Sequence, residues 1–271
     1  MSDLAQKGSP SKGIEWLARL GYTAKGLVYV IVGVLSALSA FHAGGHTTNT
    51  KGAVNTLNQQ PYGQVLLIMV AIGLVGYVVW RFTQAIKDPE HRGRGFGGIL
   101  KRIGLFVSGL IYGSLAIYTI SLLMGSGGGG GGHSKDSMTA RLMSHQGGVW
   151  VVAAIGGIII IVAIMQFMRA YKCKFEKQWA VAQMGRTQHI WARRIARWGL
   201  SARGVVFLIM GGFLVLAAVQ TDPQKATGLG GALNTLAQQS YGQILLAVVA
   251  LGLVCYGFYC WVNAVYRRIN P

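Results

Sequence analysis

Three arginines open three long apolar runs: Arg19, Arg102 and Arg197. Six residues further on, two of these runs carry a second cation, Lys25 and Arg203, where the third has Ser108. Backbone N–H groups at a helix start already carry partial positive charge, so cations there suit an anion. The candidate ligands are a phospholipid headgroup or a small anionic solute. The same residues also serve a helix that only snorkels toward the headgroup layer, so the pattern alone does not make a site. A second set is made of amides: Asn55, Gln60 and Gln64 recur in the same order as Asn234, Gln239 and Gln243. Amides clustered at a helix start cap it, or bind a polar ligand or partner.

Other chemistry finds little support. No Asp, Glu or His falls inside an apolar run, and the nearest is His42 at the outer end of the first. Proton-coupled transport through a membrane ordinarily uses such a buried ionisable relay. His42 and His46 are four residues apart but lack a neighbouring carboxylate, a poor metal set. None of the short motifs for zinc hydrolases, phosphate loops, haem attachment or serine nucleophiles occurs. No enzyme activity and no cofactor are therefore expected. Cys255 and Cys260 lie about 140° apart around one helix, so no disulfide framework is expected.

The elements that carry these residues follow from composition. Hydrophobic residues make up 52% of the 271, charged residues only 12%, and 40 residues are Gly. A soluble protein of this length would have about a quarter charged residues. Each apolar run is close to the roughly 20 residues a helix needs to cross the hydrocarbon layer. Backbone groups in lipid must bond within their own segment, which makes the runs helices. Six spans are expected, near 22–43, 62–86, 102–124, 148–170, 198–220 and 241–265. The fold class is all-α, a polytopic membrane helix bundle.

The chain also repeats itself. Ala18 to Leu38 aligns with Ala196 to Leu216, and Gly52 to Val78 with Gly231 to Gly257. A weaker middle copy begins at Lys101 and resumes at Thr139. The result is three parallel two-helix repeats, about 14–90, 97–178 and 190–271, in a single membrane domain with a pseudo-three-fold arrangement. A glycine tract at 125–137 reads as a flexible outer loop. The outer segments before Pro61 and Ser240 read as short interfacial helices. Small residues recur every seven positions in the odd-numbered spans: Gly26, Gly33 and Ala40; Gly109 and Ala116; Gly204, Gly211 and Ala218. Seven residues is nearly two turns, so each series lies on one face where helix backbones approach closely.

The net charge is +18, but its placement points away from nucleic acid. With the N-terminus on the first side, 21 of the 25 Lys and Arg fall on that side. Such asymmetry places both termini in the cytoplasm. It also sets a basic rim against anionic lipid headgroups, the expected partners beside a possible second membrane protein. The polar first twenty residues lack a short apolar stretch with a cleavage site, so no removable signal is expected. The segment from Tyr171 to Trp198, mixing Lys and Arg with Phe175, Trp179 and Trp191, reads as a basic amphipathic helix on the inner leaflet.

The stretches Arg19–Gly26 and Arg197–Gly204, with Asn55–Gln64 and Asn234–Gln243, resemble the bacterial domain-of-unknown-function family numbered 1206. The middle unit keeps Arg102, Gly104 and Gly109. The resemblance implies a six-span protein of the bacterial cytoplasmic membrane and carries no activity, catalytic residue or ligand. Three two-helix repeats are also the count found in mitochondrial carriers, but their P-x-[DE]-x-x-[KR] motif is absent, so that likeness is arithmetic only.

Function thus divides three ways. A non-enzymatic lipid-binding or scaffold protein comes first. A channel or facilitator for a small neutral or anionic solute comes second, with Ser36, Gln64, Ser108, Gln243 and Asn263 as lining groups. A cofactor-binding membrane subunit comes third.

Overall fold

The computed structural model describes residues 12–41, 49–87, 95–125, 142–143, 145, 147–222 and 229–268. His42, His46 and the glycine tract beyond Gly125 lie outside them. The named elements are helices. Spans α1 (Lys12–Ala40), α3 (Gly63–Ile86), α4 (Phe96–Leu123), α5 (Gly148–Tyr171), α6 (Arg186–Val219) and α8 (Gly242–Tyr266) are long, and α2 (Thr50–Asn58) and α7 (Leu229–Ala237) are short. All six long helices are long and apolar enough to cross a membrane. Their outer faces are apolar too: α3 exposes Val65, Ile68, Ile72 and Val75. That inverts the pattern of a water-facing helix and matches a lipid solvent.

The short helices occupy the hairpins of the first and third copies, at the end of the bundle away from the basic rim. Asn49 caps α2 by accepting from Gly52 N at 2.8 Å. The chain then turns so sharply that a Cβ at Gly63 would fall 2.4 Å from the Asn58 carbonyl oxygen. Tyr62 and Tyr241 stand exposed at this level, as interfacial aromatics do.

Helix pairing follows the order of a three-fold ring: α1 with α3, α3 with α4, α5 with α6, α6 with α8, and α8 back to α1. The glycine stripes supply the joints between repeats. A Cβ at Gly33 would meet Ala250 O of α8 at 2.7 Å, and one at Gly211 would meet Gly156 O of α5 at 2.9 Å. Gly109 lies against Phe82 of α3. One joint of the ring is missing: among the described residues, α4 and α5, the two spans of the middle copy, form no packed pair.

The segment from Lys172 to Gly185 departs from the expected amphipathic helix. It forms two short 3-10 turns, at Glu176–Gln178 and Val181–Gln183. Phe175 and Trp179 turn inward and are fully buried against Tyr259. Trp179 Nε1 donates to Asn263 Oδ1 at 3.3 Å, and Ala180 N donates to Tyr266 O at 2.8 Å. Burial of two aromatic rings outweighs the surface attraction of the flanking lysines. The segment plugs the basic end of the bundle.

Candidate functional site

Five spans converge on one cluster of cations and tyrosines. From α1 come Tyr22, Lys25 and Tyr29; α3 adds Tyr77 and Arg81, α4 Tyr112, α6 Arg203, and α8 Tyr256. Lys25 is 3% exposed. Its Nζ donates to Tyr77 Oη at 2.9 Å and lies 4.9, 4.8 and 5.5 Å from the rings of Tyr77, Tyr112 and Tyr256. Arg81 donates to the same Tyr77 oxygen, and to Gln84 Oε1 at 3.0 Å. Arg203 donates to Tyr256 Oη at 2.5 Å and stacks over Tyr256, Tyr29 and Phe207.

The helices explain this depth. Lys25 and Arg203 each lie six residues past the rim arginine of their span, about 9 Å along the axis. Side chains lean toward the helix N-terminus, so both lean back toward the basic end. Arg81 reaches the same level from one turn inside the C-terminal end of α3.

Charge is out of balance here. Among the described acidic residues, Glu15 pairs with Arg19 at 2.7 Å and Glu176 with Arg193 at 3.1 Å, while Asp222 follows the far end of α6. None belongs to the cluster. Lys25 and Arg81 donate to one hydroxyl oxygen, so two like charges crowd one neutral acceptor; unit charges at about 4 Å repel by about 4 kcal/mol at an effective dielectric constant of about 20. A cation–π contact returns about 1–2 kcal/mol. The rings soften the imbalance without removing it. The Nε atoms of Arg81 and Arg203 are moreover buried without a hydrogen-bond acceptor. Unused donors and excess positive charge in a low-dielectric interior are what a phosphate or carboxylate would complete.

The residues singled out from the sequence divide. Lys25 and Arg203 come together in this cluster. Arg19 is taken up elsewhere: its Nη1 donates to the Ala264 and Val265 carbonyls, both at 2.5 Å, at the end of α8. Arg102 does the same at the end of α3, to Ala85 O and Ile86 O, both at 2.7 Å. These two arginines cap the helix of the preceding repeat, where carbonyls lack partners and the dipole is negative. Arg197 is exposed. The outer amides lie at the opposite end: Asn55 is half-buried, and Gln60, Gln64, Asn234, Gln239 and Gln243 are exposed. Gln239 Nε2 donates to Thr235 O at 3.2 Å within its own hairpin. Of the candidate channel groups, Ser36 is buried and Ser108 half-buried, while Asn263 is bound to Trp179.

Sequence reasoning counted Arg81 only among the rim charges and passed over the tyrosines. A signal was available. Tyr77 and Tyr256 occupy aligned positions in copies one and three, as Tyr29 and Tyr112 do in copies one and two.

Comparison with known proteins agrees with the repeat geometry. Residues 20–88, 103–172 and 198–267 each match the Domain of Unknown Function family 1206. The chain is 36% identical over 270 residues to the uncharacterized protein YxxB of Bacillus subtilis strain 168, covering 100% of this chain and 96% of that protein. No solved structure matches it. Matched by the family model in each of its three two-helix units, this chain belongs to the Domain of Unknown Function family 1206.

Proposed function

We propose that this chain is a non-enzymatic protein of the bacterial cytoplasmic membrane whose cation–tyrosine cluster holds a phosphate-bearing anion. The observation that carries the reading is the uncompensated charge of Lys25, Arg81 and Arg203, with buried Nε donors left over. A multivalent oxyanion bridges two guanidinium groups and an ammonium by charge-assisted hydrogen bonds. The phosphate belongs to a lipid headgroup or to a free ion, since both present the same oxygens. The 21-of-25 basic asymmetry supports an orientation with this end, and both termini, in the cytoplasm.

The test is thermal unfolding of the full chain in neutral detergent, with inorganic phosphate or phosphatidylglycerol added. At a hundredfold excess over the dissociation constant, one site stabilises by about 2.7 kcal/mol, a shift of a few degrees in midpoint. The double variant Lys25→Met, Arg203→Met should lose that shift while still unfolding cooperatively. A wild-type midpoint indifferent to both probes would remove the proposal.

A further inference from the structure

The missing joint between α4 and α5 lies beside the cluster. In copies one and three, the two spans of a repeat interlock through small residues. A Cβ at Gly21 would fall 2.5 Å from Tyr77 Cβ, and one at Gly199 would fall 2.5 Å from the Tyr256 backbone. Gly73 and Gly252 press on Ala24 and Ala202 in the same way. The aligned positions of copy two are Gly104, Val107, Ile158 and Val162. Gly104 has nothing within 4 Å of a built Cβ. Val107 is 46% exposed, Ile158 59% and Ile161, the counterpart of Gly76, 56%. Isoleucine where the other copies have glycine holds the backbones apart, and the hairpin does not close.

The opening is placed against the charges. Among the described residues α5 contributes no ring or cation to the cluster, and Arg81 and Arg203 keep part of their surface exposed while Lys25 and Tyr112 are buried. The cluster is flanked by α4, whose Tyr112 covers Lys25 at 4.8 Å. On α4 the position matching Lys25 and Arg203 is Ser108, and on α5 the position matching Arg81 is Gln166. Ser108 is half-buried and Gln166 buried, so this side is neutral and polar near the cluster, and apolar beyond it.

We infer that the phosphate reaches the cluster from within the bilayer, as the headgroup of an anionic phospholipid whose acyl chains lie between α4 and α5. The inference rests on the anion reading above and adds the ligand's class and route. Charge complementarity selects the occupant: an apolar cleft ending at three cations fits a molecule with a hydrocarbon tail and an anionic head. A neighbouring transmembrane helix of the ordinary apolar composition would bring no charge to answer Lys25, Arg81 and Arg203.

The experiment uses the full chain in vesicles of phosphatidylcholine doped with phosphatidylglycerol carrying a diazirine on its acyl chain. Illumination and peptide mapping should place adducts on 103–111 and 155–162, about tenfold above those from a matched diazirine phosphatidylcholine, equivalent to about 1.4 kcal/mol of preference. The variant Val107→Trp, Ile158→Trp fills the cleft with apolar side chains at lipid-exposed positions. It should lose that excess about tenfold while keeping the wild-type unfolding midpoint in detergent. Equal labelling by the two lipids on these peptides would overturn the lateral route. So would a crosslinked dimer joined through α4 and α5. If inorganic phosphate stabilises the chain but phosphatidylglycerol shows no excess, the lateral route fails and the anion site stands. If neither probe acts, the anion site fails with it.

Discussion

The joint between α1 and α8 allows a quantitative test of the glycine stripes. Replacing Gly33 by Ala adds one Cβ at 2.7 Å from Ala250 O and 2.8 Å from Val254 N. Both are backbone atoms of α8, so no side chain can rotate away. Ordinary contact begins near 3.4 Å, so the two helices must separate by about 0.7 Å. Overpacking of this kind costs about 1–3 kcal/mol, and separation also loosens the neighbouring Gly26–Gly257 contact. In water, Gly→Ala in a helix returns about 1 kcal/mol through helix propensity. In a bilayer the separated helices remain helical, and that offset largely disappears. Gly104→Ala and Gly212→Ala are matched controls, since a Cβ at either meets nothing within 4 Å. Steric trapping in bicelles measures the unfolding free energy directly. The expected result is a loss of about 1–3 kcal/mol for Gly33→Ala and a change within about 0.5 kcal/mol for both controls. Equal stability of Gly33→Ala and Gly104→Ala would mean that the stripe is not a packing face.

Three further outcomes follow from the contacts. Arg102→Ala removes two charge-assisted bonds to the α3 carbonyls and should cost about 1–2 kcal/mol, allowing for partial exposure, whereas Arg197→Ala should change stability by less than about 0.5 kcal/mol in the same assay. Tyr77→Phe keeps the ring over Lys25 but removes the oxygen that serves Lys25 and Arg81, so a loss of about 1–3 kcal/mol is expected; an unchanged midpoint would show that the cations do not depend on it. Trp179→Ala withdraws the plug from the basic end, so limited trypsin digestion should cut at Lys174 or Lys177 at least several-fold faster than in wild type, and Trp179→Phe should remain near wild type.

The sequence made the spans, the hairpin repeat and the packing faces legible because each depends on local spacing. Twenty apolar residues, or glycines seven apart, declare themselves without any knowledge of neighbours. The rim arginines were legible as cations but not as caps, because their acceptors at Ala264 and Ala85 lie in another repeat. Arg81 was hidden for a related reason: it lies on an even-numbered span, and only packing brings it to Lys25. The segment from Lys172 to Gly185 misled because alternating Lys and aromatic residues describe a surface helix as well as a plug. What decided it was the tertiary burial of Phe175 and Trp179 against α8, with an isolated bridge from Trp179 to Arg267.

The middle copy shows how a repeat protein acquires a direction. Three identical hairpins would close into a ring with a cation from each odd span and a tyrosine from each even one. Copy two departs at both kinds of position, with Ser108 for the cation and Val162 for the tyrosine, and it also replaces Gly73 and Gly252 by Ile158. The first two changes thin the cluster on one side, and the third opens the bundle on that same side. Changes at separate sequence positions converge because all of them lie on the two spans of the middle copy, α4 and α5, which meet at the unmade joint. Restoring Ile158→Gly alone should not close the hairpin, since Val107 and Val162 still stand where Ala and Tyr interlock in the other copies. Restoring all three, with Val107→Ala and Val162→Tyr, removes the obstruction, and a disulfide between cysteines placed at 104 and 161 should then form in that background but not in the parent chain.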